Sequence, residues 1–128
     1  MGDTQSKLKQ ILIVEDNFEM QSLYRRMFKD RTDRFEIDIV NEARLAFKKL
    51  SERDFDLIIL DLIMEPLGGE TFYACIRDDL KKRNIQVLVV SVINPDNLEH
   101  MKELSHVNFL QKPIQEEELV NTIEGIIG

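Results

Sequence analysis

Five residues of this 128-residue chain carry side chains that could do chemistry together: Glu15 and Asp16 in IVEDN, Asp61 in LIILD, Ser91 in VLVVS and Lys112 in FLQKP. Each follows a short apolar run. Taken singly, Glu15-Asp16 reads as an acidic turn and Asp61 as a turn or helix-capping carboxylate. Taken together they make a different site. Three carboxylates brought close repel one another, and each tends to hold a proton unless a cation sits among them. The donors are all oxygen, with no Cys or His at metal spacing, which favours Mg²⁺ retaining part of its water. Lys112 adds a second positive charge and Ser91 a hydroxyl. Such groups around an exposed carboxylate stabilise a phosphoryl group in transfer. Asp61 would then be the nucleophile, forming an aspartyl phosphate.

The elements that must position these residues are legible as alternating patterns. Ile11–Val14, Leu57–Leu60 and Val87–Val90 are wholly apolar, as suits central parallel strands covered on both faces. Phe35–Ile39 alternates with period two, as an edge strand would, and Val107–Leu110 predicts a short fifth strand. Between them Met20, Leu23, Tyr24, Met27 and Phe28 mark one face of a helix, as do Ala43, Ala46, Phe47 and Leu50, and Phe72, Cys75, Ile76 and Leu80. Asn94-Pro95 reads as a cap and first turn of a helix through Leu98, Met101 and Leu104, and Leu119 to Ile127 as the last helix. Five β-α units with right-handed crossovers predict an α/β, doubly wound, mainly parallel sheet. In such sheets, sites form beyond the carboxyl ends of the strands. All five candidate residues fall there.

Composition bounds the function. The length suits one core, and 43% hydrophobic with 32% charged residues suits a globular domain. Residues 1–9 read as a flexible N-terminal tail and 10–128 as the domain. The net charge of −7 argues against direct nucleic-acid binding. The single Cys75 rules out an internal disulfide and fits a reducing, cytoplasmic setting. No apolar run is long enough to span a membrane.

The acidic pair in IVEDN, Asp61 in LIILD, Ser91 after VLVV and Lys112-Pro113 in FLQKP, in this order from about Gln10 to Ile127, resemble the response-regulator receiver domains of two-component signalling. The resemblance implies a flavodoxin-like (βα)5 three-layer sandwich with sheet order 2-1-3-4-5. It implies a phosphoacceptor at Asp61, taking its phosphoryl group from a phosphohistidine on a sensor histidine kinase or histidine phosphotransfer protein. Asp16, Asp61 and the Ile63 carbonyl would contact Mg²⁺, with Glu15 acting largely through bound water. Lys112, aimed by a cis peptide to Pro113, would pair with the phosphate. Ser91 and the switch aromatic Phe109 would carry the change to the face built by the fourth helix, fifth strand and fifth helix, a face that could also support a homodimer. The protein would be a signalling switch that catalyses its own phosphorylation and dephosphorylation, rather than an enzyme. The alternative is a receiver-like scaffold that docks partners without phosphate. An aspartyl phosphatase would want a second acid at Ile63, and flavin binding a hydroxyl-rich loop after the first strand.

Several positions depart from the family pattern. Glu65 stands where proline is usual, with Pro66 one place later, while Gly69 keeps the usual glycine. Val92 replaces a small residue, His106-Val107 replaces Gly-Ala, and Phe109 replaces Tyr. The two residues that flank the path of attacking water, Ile63 and Ile93, are bulky and cannot orient it, which predicts slow self-dephosphorylation. Of the remaining residues, Cys75 is expected on the core face of the third helix and His100 and His106 in solvent. Gly68-Gly69 reads as a turn, and Glu116–Glu118 as favourable charge at a helix N-terminus. Met20, Met27, Met64 and Met101 read as packing residues, Met64 beside the site.

Overall fold

The computed structural model describes residues 8–95, 104 and 106–128. In chain order its elements are β1 (Lys9–Val14), α1 (Phe18–Lys29), β2 (Phe35–Val40), α2 (Ala43–Glu52), β3 (Leu57–Leu60), α3 (Gly69–Lys82), β4 (Gln86–Ser91), β5 (Asn108–Gln111) and α4 (Glu116–Ile127). The expected helix from Asn94-Pro95 through Leu98 and Met101 lies largely outside the described residues, as does His100. Its far end, Leu104, is described and buried. The last helix is therefore α4 here, although it was expected as the fifth.

All strand pairs are parallel and the order is β2-β1-β3-β4-β5, the flavodoxin-like arrangement. Strand residues alternate between two cores because successive side chains point to opposite faces. Leu12, Val14, Ile58, Leu60, Val87 and Val89 pack with α2 and α3. Ile11, Ile13, Leu57, Ile59, Leu88 and Val90 pack with α1 and α4. These strands are apolar on both faces because helices cover both. The edge strand β2 instead leaves Glu36 exposed and Ile37, Asp38 and Ile39 half-buried.

The helix stripes follow their spacing. Tyr24, Met27 and Phe28 are buried on α1, with Met20 and Leu23 packed at the margin. Ala43, Ala46 and Leu50 are buried on α2, while Phe47 is 36% exposed and sets its edge on Phe72 at 4.9 Å. Met64 is buried in the core under α2 and α3, and His106 is exposed. Glu116, Glu117 and Glu118 occupy the first turn of α4, where the helix dipole favours them; Glu116 also pairs with Arg31 at 2.8 Å.

Two expectations are corrected. Cys75 is exposed, not packed. The buried stripe of α3 runs through Gly69, Phe72, Tyr73, Ile76 and Leu80, and at ~100° per residue Cys75 lies well round from its centre. The fifth strand runs from Asn108 to Gln111 rather than from Val107, whose N–H instead turns back to the Leu104 carbonyl at 3.2 Å.

Parallel register sets the height of the strand ends. Val14 is level with Leu60, so Glu15 and Asp61 emerge side by side; Ser91 is level with Gln111, so Lys112 follows next to it. The order reverses between β1 and β3, which leaves the crevice where ligands bind in such sheets. The loop after β3 is held down by Gly69, whose N–H donates to the Leu62 carbonyl at 2.9 Å. A Cβ at this position would lie 2.2 Å from the Asp61 carbonyl oxygen and 2.7 Å from the Leu62 Cα. Both are backbone atoms, and no rotamer change relieves the clash. Gly69→Ala is therefore expected to destabilise the protein by about 1–3 kcal/mol, read by urea denaturation. An unchanged midpoint would mean that the loop path is not fixed by this approach.

Candidate functional site

Asp61 and Glu15 are buried at the carboxyl ends of β3 and β1, 5% and 1% exposed. Burial of two like charges is tolerable only with a counter-charge. Lys112 supplies it: its Nζ lies 2.8 Å from Asp61 Oδ2 and 3.0 Å from Glu15 Oε1. The lysine comes from the end of β5, and its own N–H donates to the Ser91 carbonyl at 2.9 Å. The Lys112–Pro113 peptide is cis, as expected; that between Glu65 and Pro66 is cis as well, which the sequence reading did not anticipate.

The remaining carboxylate oxygens are held by backbone. Ile63 N–H donates to Asp61 Oδ1 at 3.1 Å and Asn17 N–H to Glu15 Oε2 at 3.1 Å. Ser91 is fully buried, and its Oγ accepts from the Ile93 N–H at 3.4 Å. Asp16 is exposed beside the pair. Among the described residues, Glu15, Asp16 and Asp61 form the one cluster of metal-ligating side chains, each offering an oxygen within 4.8 Å of the others. The predicted set of Glu15, Asp16, Asp61, Ser91 and Lys112 is thus brought to one sheet edge, with Ile63 in the loop above it. Phe109, on β5, is half-buried against the core beneath α2 and α3.

The electrostatics match a site short of positive charge. Burial, and then the neighbouring Asp61 charge, push the Glu15 carboxyl up to about 7, with Lys112 and the Asn17 N–H opposing. Burial alone would depress Lys112, but its hydrogen bonds and charge contacts with Asp61 and Glu15 outweigh that and raise it. The ammonium stays charged, and one of its two carboxylates is left incompletely compensated. An all-oxygen set with excess negative charge fits a hard divalent cation.

Three supporting groups were not legible as site residues. Asn17 caps α1, its Oδ1 accepting from Met20 N–H at 2.8 Å, a signal present in its type and place before the helical stripe. Gln21 Nε2 donates to the Glu15 carbonyl at 2.7 Å. Tyr24, counted only as part of an apolar stripe, carries a buried hydroxyl that feels the charges of Glu15 and Asp61. Near the strand ends, Phe18, Ile63 and Val92 are 75%, 48% and 54% exposed. They form an apolar rim around a polar centre.

A sequence model of the family described as "Response regulator receiver domain" matches residues 11–124. The chain is 29% identical over 126 residues to the sensor histidine kinase TmoS of Ectopseudomonas mendocina, covering 97% of this chain and 12% of that one. It is 26% identical over 125 residues to the transcriptional regulatory protein CitT of Halalkalibacterium halodurans, covering 95% and 54%. The chain thus spans between about an eighth and half of these relatives. The receiver domain of the sensor histidine kinase PA1611 of Pseudomonas aeruginosa, solved with a magnesium ion in its active-site cleft, superposes with a TM-score of 0.77 at 21% identity, covering 95% and 99%.

The Glu15 carboxyl also sets a pH dependence. Its folded value near 7 exceeds its unperturbed 4.5, so the folded protein binds the proton more tightly than the unfolded chain between those values. Stability therefore falls as pH rises through that window, by on the order of 2–3 kcal/mol from this group. In metal-free protein, Glu15→Gln is expected to flatten the fall between pH 5 and pH 8 measured by urea denaturation. Equal slopes in the two proteins would overturn the assignment of the titration to Glu15.

Proposed function

The chain belongs to the response regulator receiver family, and from that premise we propose that it is a phosphorylatable switch whose acceptor is Asp61. The observation that carries this reading is the Lys112 ammonium fixed against the buried Asp61 carboxylate. Asp16, Asp61 and the Ile63 carbonyl would hold Mg²⁺, with Glu15 acting through water. Bound there, the ion would neutralise charge on the phosphoryl oxygens. The close approach of the three acidic side chains supports that fit.

The chain's own groups account for the rest of the transfer. An Asp61 carboxylate oxygen attacks phosphorus as the phosphorus–nitrogen bond of a phosphohistidine breaks, and the imidazole nitrogen keeps the bonding pair. The Ile63 N–H on Oδ1 orients the carboxylate and leaves its second oxygen to the lysine side. Lys112, already between Glu15 and Asp61, follows the charge onto the phosphoryl oxygens. Ser91 Oγ accepts a long bond from the Ile93 N–H, and its hydroxyl would turn toward the new oxygens. Phe109 would then repack on β5.

The donor would be a histidine on a sensor kinase or phosphotransfer protein. Similarity to a segment of the sensor histidine kinase TmoS supports this, and so do the exposed Phe18, Ile63 and Val92, which suit an apolar protein surface lowered onto the acceptor. The domain is taken to run from 10 to 128 after a short tail. No helix among the described residues is long and apolar enough to cross a membrane, and we take the protein to work in the cytoplasm.

Beryllofluoride with Mg²⁺ should shift the amide resonances of Ser91, Phe109 and Lys112, and Asp61→Asn should abolish those shifts. Mg²⁺ binding without any beryllofluoride response would favour a docking scaffold instead. Hydrolysis of the aspartyl phosphate should be slow, because the half-exposed Ile63 presents no polar group to water. Ile63→Asn should speed phosphate release about tenfold, an effect of ~1.4 kcal/mol on the barrier. Rapid release from the unaltered protein would overturn this reading.

A further inference from the structure

Among the described residues one buried side-chain polar atom has no hydrogen-bond partner: the hydroxyl of Tyr24. The residue is wholly inaccessible, in the core between the sheet and α1 and α4. A phenol left unpaired in an apolar layer costs free energy that phenylalanine would avoid. Its neighbours in that core include Ile13, Ile59 and Ile114, each two residues along the chain from Glu15, Asp61 or Lys112.

The direction of the side chain follows from helix geometry. α1 starts where β1 ends, so its N-terminus lies at the site and its C-terminus at the far edge of the sheet. Long helical side chains lean toward the N-terminus over the preceding turn. Tyr24 therefore leans over the turn that holds Gln21, whose amide already reaches the Glu15 carbonyl at 2.7 Å. The Glu15 carboxylate accepts one bond from Lys112 and one from Asn17, and a carboxylate has about four acceptor positions. In agreement, burial and then the charges of Glu15 and Asp61 push the phenol well above its ordinary range, so it keeps its proton and acts as a donor.

We infer that Tyr24 is a positioning residue of the acidic site: its hydroxyl donates through one buried water to the Glu15 carboxylate and holds it facing the cation position. A dry, unpaired hydroxyl is rare in folded proteins, whereas a single bridging water between buried polar groups is common. The inference rests on the reading of Glu15, Asp16 and Asp61 as a cation site.

The test compares the unaltered protein with Tyr24→Phe, with Tyr73→Phe as control, by calorimetric Mg²⁺ titration and by melting without Mg²⁺. Tyr24→Phe is expected to weaken Mg²⁺ binding about tenfold and to lower the metal-free melting temperature. Tyr73→Phe should bind Mg²⁺ as the unaltered protein does. Unchanged Mg²⁺ affinity in Tyr24→Phe overturns the inference, and a raised melting temperature would mark the hydroxyl as unpaired. If the unaltered protein takes up no Mg²⁺, the cation-site reading fails by itself. The Tyr24–Glu15 link then stands or falls on the metal-free melts: a fall that vanishes in a Glu15→Ala background, which removes the acceptor, keeps it, and any other result removes it.

Discussion

Two buried carboxylates share one ammonium, and the rest of the structure can be understood as what is needed to hold them there. Glu15 and Asp61 carry two negative charges against the one positive charge of Lys112, with Asp16 adding a third at the surface. In a medium of low polarity such an imbalance is costly, and the Glu15 carboxyl responds by moving up to about 7. Left alone, the group would separate or protonate. It does not separate because its members are anchored through backbone that continues the ladder beyond the strands: Glu15 N–H to Val40, Asp61 N–H to Val14 and Lys112 N–H to Ser91. The imbalance is expressed instead as the raised proton affinity of Glu15. The sheet is thus the scaffold of a charge deficit, and a divalent cation is the simplest group to correct it.

That dependence explains why so much was legible in the sequence. A strand buried on both faces must be apolar throughout, so LIIL and the run before Glu15 announce themselves, and the polar residue ending each run is conspicuous. Helix stripes were equally plain, because the two cores demand them. The errors fall where the pattern is weak. Cys75 sits next to a stripe rather than on it, and a cysteine is acceptable in either place. The fifth strand is short and half-exposed, so its register by one residue had little signal.

The supporting groups of the site were illegible for a different reason. Asn17 acts on Glu15 through its backbone N–H, which carries no residue type for a reader to notice, and the same holds for the N–H, though not the carbonyl or side chain, of Ile63. Gln21 looks like any polar residue flanking an apolar stripe. Tyr24 satisfies the stripe so well that its hydroxyl is overlooked, yet a hydroxyl on a core face always raises the question of its partner.

The same anchoring decides which part of the fold can respond to a change at Asp61. β1 and β3 lie in the middle of the sheet, with helices packed on both faces. Shifting them would disturb both cores at once, and close-packed cores yield reluctantly. The β4–β5 side is less constrained. Ser91 and Lys112 are tied by a backbone bond, β5 is an edge strand with Asn108 and Gln111 exposed, and Phe109 is only half-buried against the core. A new charge at Asp61 that drew Lys112 and Ser91 toward itself would therefore be relieved along β5 rather than across the centre. Which side of the sheet can yield, on this argument, is a consequence of which strands are buried twice.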